Sequence, residues 1–391
     1  MRKLLLLLLT LSFYCSASAA ERIRIIYGPY LQMVGENEAS IVWVTNKKAQ
    51  SWVEIAPNDS LNFYAETRPQ FYETLFGRKV SGTVHKVKVS GLEKGTTYRY
   101  RVFSKEILDE QPYLITYGAV ASTSVYGRAP LTFTTLDPNK ETVRFSVVND
   151  IHADNDKLKA LLQDVKKGQT DFVLFNGDMV SHLDSEKDLF DGFMNTSVKL
   201  FASEIPFYFS RGNHETRGVY ASRYIDYFPT STGKPYYSFR QGPVFFVVLD
   251  GGEDKPDNDI EYLGTAAFDL YREEQAAWLK QVTESEEFRA APFKIAVIHV
   301  PPIRDTWHGP LHTNKLFVPI LNAAGIDLML CGHLHRYFYV EAGEENCDFP
   351  VLINSNKEAV HIAADSKNMT LEIKDQSGKV TNKFSYQSKG K

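Results

Sequence analysis

The chain has 391 residues, 44 of them Lys or Arg and 48 Asp or Glu, for a net charge of −4. So balanced a charge is not the footprint of a nucleic-acid binder, and 43% hydrophobic with 24% charged residues excludes whole-chain disorder, collagen and coiled coil. Three cysteines are too few for a disulfide-stapled fold, and at about 100 to 200 residues per domain the length accommodates two or three cores.

The first element reads as an export signal. Arg2 and Lys3 precede the apolar run from Leu4 to Leu11, and Ala17-Ser18-Ala19 supplies the small residues of a cleavage site after Ala19 or Ala20. The run falls short of the roughly 20 residues that span a bilayer. Residues 1–20 are therefore expected to be removed, leaving a periplasmic or secreted chain with no transmembrane segment. Lipid attachment through Cys15 is disfavoured by the bulky Tyr14 before it.

Residues 21–137 carry short β-rich runs (40–45, 51–55, 84–89, 98–103 and 131–135) with turn signals between them and no amphipathic helix. That pattern predicts an antiparallel β-sandwich. The stretch Leu92-Glu-Lys-Gly-Thr-Thr-Tyr98-Arg-Tyr100 resembles the tyrosine corner of fibronectin type III and immunoglobulin-like domains, with Trp43 as a core tryptophan. This half holds one histidine, His85, and no cluster of ligand-type residues.

After a polar linker at 137–141 the period changes. Strand-like runs at 143–148, 171–176, 206–210, 244–249, 294–299 and 326–330 alternate with helical ones at 156–167, 266–282 and 315–324, which predicts an α/β domain over 142–391. Short strand candidates return at 351–354, 361–364, 370–374 and 383–386. Cys331 and Cys347 are a possible pair, left open because buried free cysteine is common.

Nine of the ten histidines follow residue 150. Several ligand-type residues stand directly behind an apolar run: Asp150-Ile-His152, Gly177-Asp178, Gly212-Asn213-His214-Glu215, His299 and Gly332-His333-Leu-His335. Alone, each reads as a helix cap, a turn or a hydrogen-bonded imidazole. Together, five strand ends deliver oxygen and imidazole donors to the carboxyl rim of a sheet, where α/β folds bind ligands. His333 and His335, at i and i+2, are expected to point to one side of an extended segment and serve adjacent metals, with Asp178 as a shared carboxylate. Mixed nitrogen and oxygen donors exclude a structural thiolate zinc site, and the sequence has no GxxxxGK[ST] phosphate loop.

This order of motifs resembles the calcineurin-like metallophosphoesterases over residues 143–365, and the segment opening Tyr27-Gly-Pro-Tyr-Leu-Gln32 looks like the N-terminal domain of purple acid phosphatases. The resemblance implies a two-domain chain whose second domain is a four-layer α/β/β/α sandwich with two metal ions, iron, manganese or zinc. Carried over, one metal is held by Asp150, His152, Asp178 and His335, the other by Asp178, Asn213, His299 and His333. It further implies hydrolysis of phosphate monoesters by a metal-bound hydroxide, with Asp178 and His214 catalytic, His214 assisting the leaving group, and Glu215 orienting an imidazole. Arg211 and Arg217 are candidates to clamp the phosphate, and His308, with His312 nearby, to line the mouth of the site; the bland alternatives are surface ion pairs and solvated histidines. His182 is equally open.

The pattern departs from purple acid phosphatases at two places. They have Gly where His152 stands, and a Tyr ligand where this chain continues Met179, Val180, Ser181, so no tyrosinate colour is expected. Competing readings are a phosphodiesterase or nucleotidase with the same two-metal site, and a non-catalytic scaffold retaining the fold. A filled set of donors speaks against the scaffold.

Overall fold

The computed structural model describes residues 21–167 and 169–389; the export signal expected at residues 1–20 lies outside them. Strand Glu38–Pro57 organises the first unit. Its first half pairs antiparallel with Ile25–Gln32 and Ser81–Ser90, its second half with Thr97–Gln111, and the register against Ser81–Ser90 shifts between Val44 and Ala49. The sheet folds over itself at that irregularity, so both halves bury alternate residues in one sandwich core around Trp43, Val53, Tyr100 and Phe133. Two separate strands are expected from the sequence here, yet the polar residues 46–50 stay extended. Thr45 Oγ1 donates to Lys47 O (2.7 Å) and Lys47 pairs with Glu106 (2.6 Å), which gives the polar stretch partners without a turn.

The tyrosine corner forms: Glu93 N–H donates to Tyr98 Oη at 2.8 Å. Trp43 is fully buried and donates Nε1–H to Ser104 Oγ at 2.8 Å. Strand Leu114–Ser122, hairpinned onto Thr97–Gln111, has no counterpart in the sequence pattern because neither of its faces is buried, so it lacks an apolar period.

The second unit has two six-stranded sheets. One orders as Phe207–Ser210, Phe172–Asn176, Val143–Val148, Glu358–Ala364, Asn368–Asp375 and Val380–Gln387, parallel across the first three strands and antiparallel after them. In the other, Val244–Val248, Phe293–Val297, Leu328–Cys331 and Val351–Ile353 run parallel between two antiparallel edge strands. Phe145, Phe172, Phe246, Ile295 and Leu371 fill the space between the sheets, while helices Phe268–Thr283 and His308–Ala324 cover the outer face of the second. The four-layer expectation is met.

Two helices differ in extent from the apolar period. The first ends at Leu161, capped at its start by Asp154, and the 308–324 helix begins seven residues early because Pro310 sits in its first turn, where a missing N–H costs nothing. Cys331 and Cys347 are buried free thiols in the same apolar cluster.

The sandwich seats on the helical segment between Glu186 and Ala202 and on the short helix Tyr224–Tyr227. Tyr27 stacks on Phe190 at 4.0 Å, and Tyr30, Val42 and Val44 join the apolar cluster that backs the first sheet. Buried hydrogen bonds cross the boundary, from Tyr30 Oη to Tyr227 O (2.8 Å), Tyr100 Oη to Ser203 O (2.7 Å) and Gln32 Nε2 to Phe207 O (3.0 Å). The sandwich thereby braces the segment that leads out of the Asp178 loop.

Candidate metal centre

Asp150, His152, Asp178, Asn213, His214, His299, His333 and His335 all follow strands of the two central sheets and converge at one rim. Asp150 and Asp178 share a division of labour. Asp150 Oδ2 accepts from Asn149 Nδ2 (2.6 Å) and His333 N–H (2.9 Å), leaving Oδ1 facing His335 Nε2 (3.1 Å) and His299 Nε2 (3.8 Å). Asp178 Oδ1 accepts from His214 N–H (3.0 Å), leaving Oδ2 facing His299 Nε2 (3.0 Å), His214 Nε2 (3.8 Å) and His152 Nε2 (4.0 Å). Asp178 Oδ2 therefore belongs to one donor group and faces His152 of the other. Its own group is Asp178, His299 and His333, with Asn213 Oδ1 3.2 Å from His333 Nδ1; the other is Asp150, His152 and His335.

The backbone at these positions is unusual. Asp150, His152, Asp178, His333 and His335 all have φ between 49 and 70°. Non-glycine residues in the left-handed region are strained and persist only where surroundings over-determine them. His333 and His335 thus do not sit on an extended segment as the i, i+2 spacing implies. The loop after Leu328–Cys331 turns left-handed at both, and sends one imidazole to each donor group.

The donor set fits metal ions. His299 donates Nδ1–H to Asn176 O (2.6 Å), which aims its Nε2 inward, and Nε2 and Asp150 Oδ1 are both buried without a hydrogen-bond partner. Buried polar atoms left without a partner in this way are costly unless a partner such as a metal ion meets them. The glycines before the donors leave no slack: a Cβ on Gly177 would lie 2.3 Å from the His299 ring, and one on Gly212 2.2 Å from Asp178 Oδ1.

Electrostatics follow from this crowding. Burial disfavours a charged His299, but the Asp178 and Asp150 carboxylates outweigh it and push the imidazole up to about 10. Burial raises Asp178, and the neighbouring His299 more than compensates, holding the carboxyl well below its usual range. His152 and His333 are lowered, chiefly by burial, which keeps them neutral and able to donate a lone pair.

The remaining candidates divide. His214 donates Nδ1–H to Ser181 O (2.9 Å) and turns Nε2 toward Asp178. Arg217 Nη1 lies 3.5 Å from both His214 ring nitrogens while Nε and Nη2 grip the buried Glu253 carboxylate at 2.6 and 2.9 Å. Arg211 does not join the cluster; its guanidinium is held by the buried Asp250 at 2.7 Å. His308 is taken by Asp269 at 2.8 Å, with His312 beside it. His182 stays exposed, its ring 6.4 Å from that of His214.

Glu215 orients backbone and not an imidazole. It is fully buried, and its carboxylate accepts from the N–H groups of Asp178 (2.9 Å), Met179 (2.7 Å), Val180 (3.2 Å) and Gly212 (2.9 Å), tying two donor loops together. Burial, then the Asp178 charge, raises its carboxyl to about 7 against the pull of those donors. Asp250 and Glu253 were legible as acidic residues just past the 244–248 strand, but nothing local tied them to arginines.

Comparison with known proteins agrees with this architecture. Residues 143–337 match the calcineurin-like phosphoesterase family and residues 26–116 the purple acid phosphatase N-terminal domain. Two proteins of Arabidopsis thaliana, purple acid phosphatase 18 and purple acid phosphatase 22, are each 23% identical over 79% of this chain. The chain spans 64% and 65% of their respective lengths. A phosphoesterase from E. coli of known structure aligns at 10% identity and a TM-score of 0.32, covering 62% of this chain and 98% of its own.

Proposed function

We propose that this chain, a calcineurin-like phosphoesterase preceded by a purple acid phosphatase N-terminal domain, is an exported metal-dependent hydrolase of phosphate monoesters. Its domains run 21–137 and 142–391, and export rests on the signal at residues 1–20. The monoester assignment takes its support from the relatives, which are phosphatases.

The observation that carries the reading is the convergence of two partnerless buried atoms, Asp150 Oδ1 and His299 Nε2, with Asp178 Oδ2 and His335 Nε2. Asp150, His152, Asp178 and His335 would hold one metal, and Asp178, Asn213, His299 and His333 the other. Bound there, divalent or trivalent ions supply Lewis acidity and activate water near neutral pH. His152 stands where purple acid phosphatases have glycine, and Met179, Val180 and Ser181 follow Asp178 where their motif continues to a tyrosine ligand; Ser181 Oγ lies 3.4 Å from His152 Nδ1.

His214 would act on the leaving group. Its Nδ1–H is committed to Ser181 O, so Nε2 is the atom that would carry a proton to the departing oxygen. Arg217, only 30% exposed and fixed by Glu253, presents a positive edge beside it where phosphate oxygens would approach. Asn149, Glu215 and the Ser181 carbonyl hold their partners in place.

The test is hydrolysis of a chromogenic phosphomonoester beside the matching diester, using mature chain reconstituted with manganese, zinc or iron and an Asp178→Ala control. Turnover of the monoester, lost on chelation and in the control, is expected. Preference for the diester would replace the monoester reading, and no turnover of either by folded, metal-loaded protein would remove the catalytic one.

A further inference from the structure

We propose that Asp269, His308 and His312 form a separate mononuclear site for a borderline divalent transition metal, with zinc as the reference ion. His308 and His312 stand at i and i+4 in the first turns of helix His308–Ala324, on one face, the arrangement by which helices present two imidazoles to one ion. Asp269 reaches them from the first turn of helix Phe268–Thr283, so that one ligand atom from each residue falls within 4.8 Å of the others.

The distances match coordination edges. Metal bonds to imidazole and carboxylate run about 2.0–2.2 Å, so ligands on one ion stand about 2.9 Å apart at about 90° and about 3.4 Å apart at zinc's tetrahedral angle, and the cluster sits at the contracted end of that range. His308 Nε2 lies 2.8 and 2.9 Å from the two Asp269 oxygens, and His312 Nδ1 lies 3.0 Å from Oδ1. A plain ion pair does not account for His312. Its Nδ1 is buried and makes no hydrogen bond, although a carboxylate oxygen is within reach. At 3.0 Å only direction can be at fault: the oxygen lies off the axis of the nitrogen, as a neighbouring ligand on a shared ion does.

The carboxylate is also oriented from behind. Buried Arg272 donates Nη1–H to Asp269 Oδ1 (2.9 Å), and Asp257, which accepts from Phe268 N–H (2.8 Å) and Asp269 N–H (3.1 Å), offsets the guanidinium charge. His308 and Asp269 are 38% and 36% exposed, giving an ion an entry path and open positions for water. The site ties two helix starts together against residues 253–254, where Asp254 O accepts from Gly309 N–H (2.7 Å). Glu253, next to it, is the residue that holds Arg217 against His214.

Isothermal titration of zinc into metal-stripped full chain tests this. The wild type is expected to bind one equivalent more than His312→Ala, and His308→Gln is expected to lose the same equivalent. Circular dichroism checks the fold of both; His308 is the more exposed, so its variant decides if His312→Ala fails to fold. In an Asp178→Asn background, cobalt should still give visible bands that disappear when His312→Ala is added. Equal stoichiometry in the wild type and the His308 variant, or no cobalt bands in the Asp178→Asn chain, overturns the site.

Discussion

Replacing Gly177 by alanine puts the proposed centre under a defined strain. The position has φ of +79°, and an added Cβ would lie 2.3 Å from His299 Cγ and Nδ1 and 2.7 Å from its Cβ. Restoring ordinary contact of about 3.5 Å moves the imidazole by about 1 Å. That shift breaks the Nδ1–H bond to Asn176 O and draws Nε2 away from Asp178. An unpaired buried donor costs about 1–3 kcal/mol and a left-handed alanine about 1–2 kcal/mol more, so a loss of about 2–5 kcal/mol is expected. A misplacement of about 1 Å at a reacting centre also costs roughly 10²-fold in rate. Gly378→Ala is the control: φ is +83°, but nothing stands within 4 Å of its added Cβ, so it carries the conformational cost alone. Urea denaturation of both variants at unchanged slope, with metal content after dialysis, separates the two contributions. If Gly177→Ala matches Gly378→Ala in stability and retains the metal of the wild type, the close packing of Gly177 on His299 is not what positions the imidazole.

His214→Ala should lower kcat by roughly 10²–10⁴ on an alkyl phosphate and far less on a nitrophenyl phosphate, whose leaving group needs no proton, with metal content unchanged; equal losses on both esters would argue against the leaving-group role. His85 is buried in the sandwich beside Thr45 Oγ1 (2.9 Å), and burial lowers its imidazole to about 3. The unfolded chain then takes up a proton below about pH 6.5 that the folded one refuses, so stability falls as pH drops from 6.5, by roughly 2 kcal/mol at pH 5. His85→Gln should flatten that part of the stability profile, and an unchanged slope would show that His85 does not set it. The metal-loaded protein should lack the visible band of an iron tyrosinate, because Asp178 is followed by Met179, Val180 and Ser181 and not by a tyrosine; a purple product would refute the ligand set.

The donors were legible in the sequence because each one punctuates an apolar strand, and strand period and the residue just after it are local properties. Asp150, Asp178, Asn213, His299, His333 and His335 are of this kind, as is the change from sandwich to α/β at residue 137. Pairing between distant segments is not local. Which imidazole joins which aspartate depends on left-handed turns at His333 and His335, which a strand pattern reads as extended. Arg211 and Arg217 look equivalent in sequence, yet Asp250 and Glu253 across the fold give one a structural partner and set the other beside His214. The same holds for Glu215, whose four backbone donors come from two loops, and for Asp269, separated from His308 by 39 residues. Local periodicity fixes where side chains can emerge; only the packed sheets and helices decide what they meet.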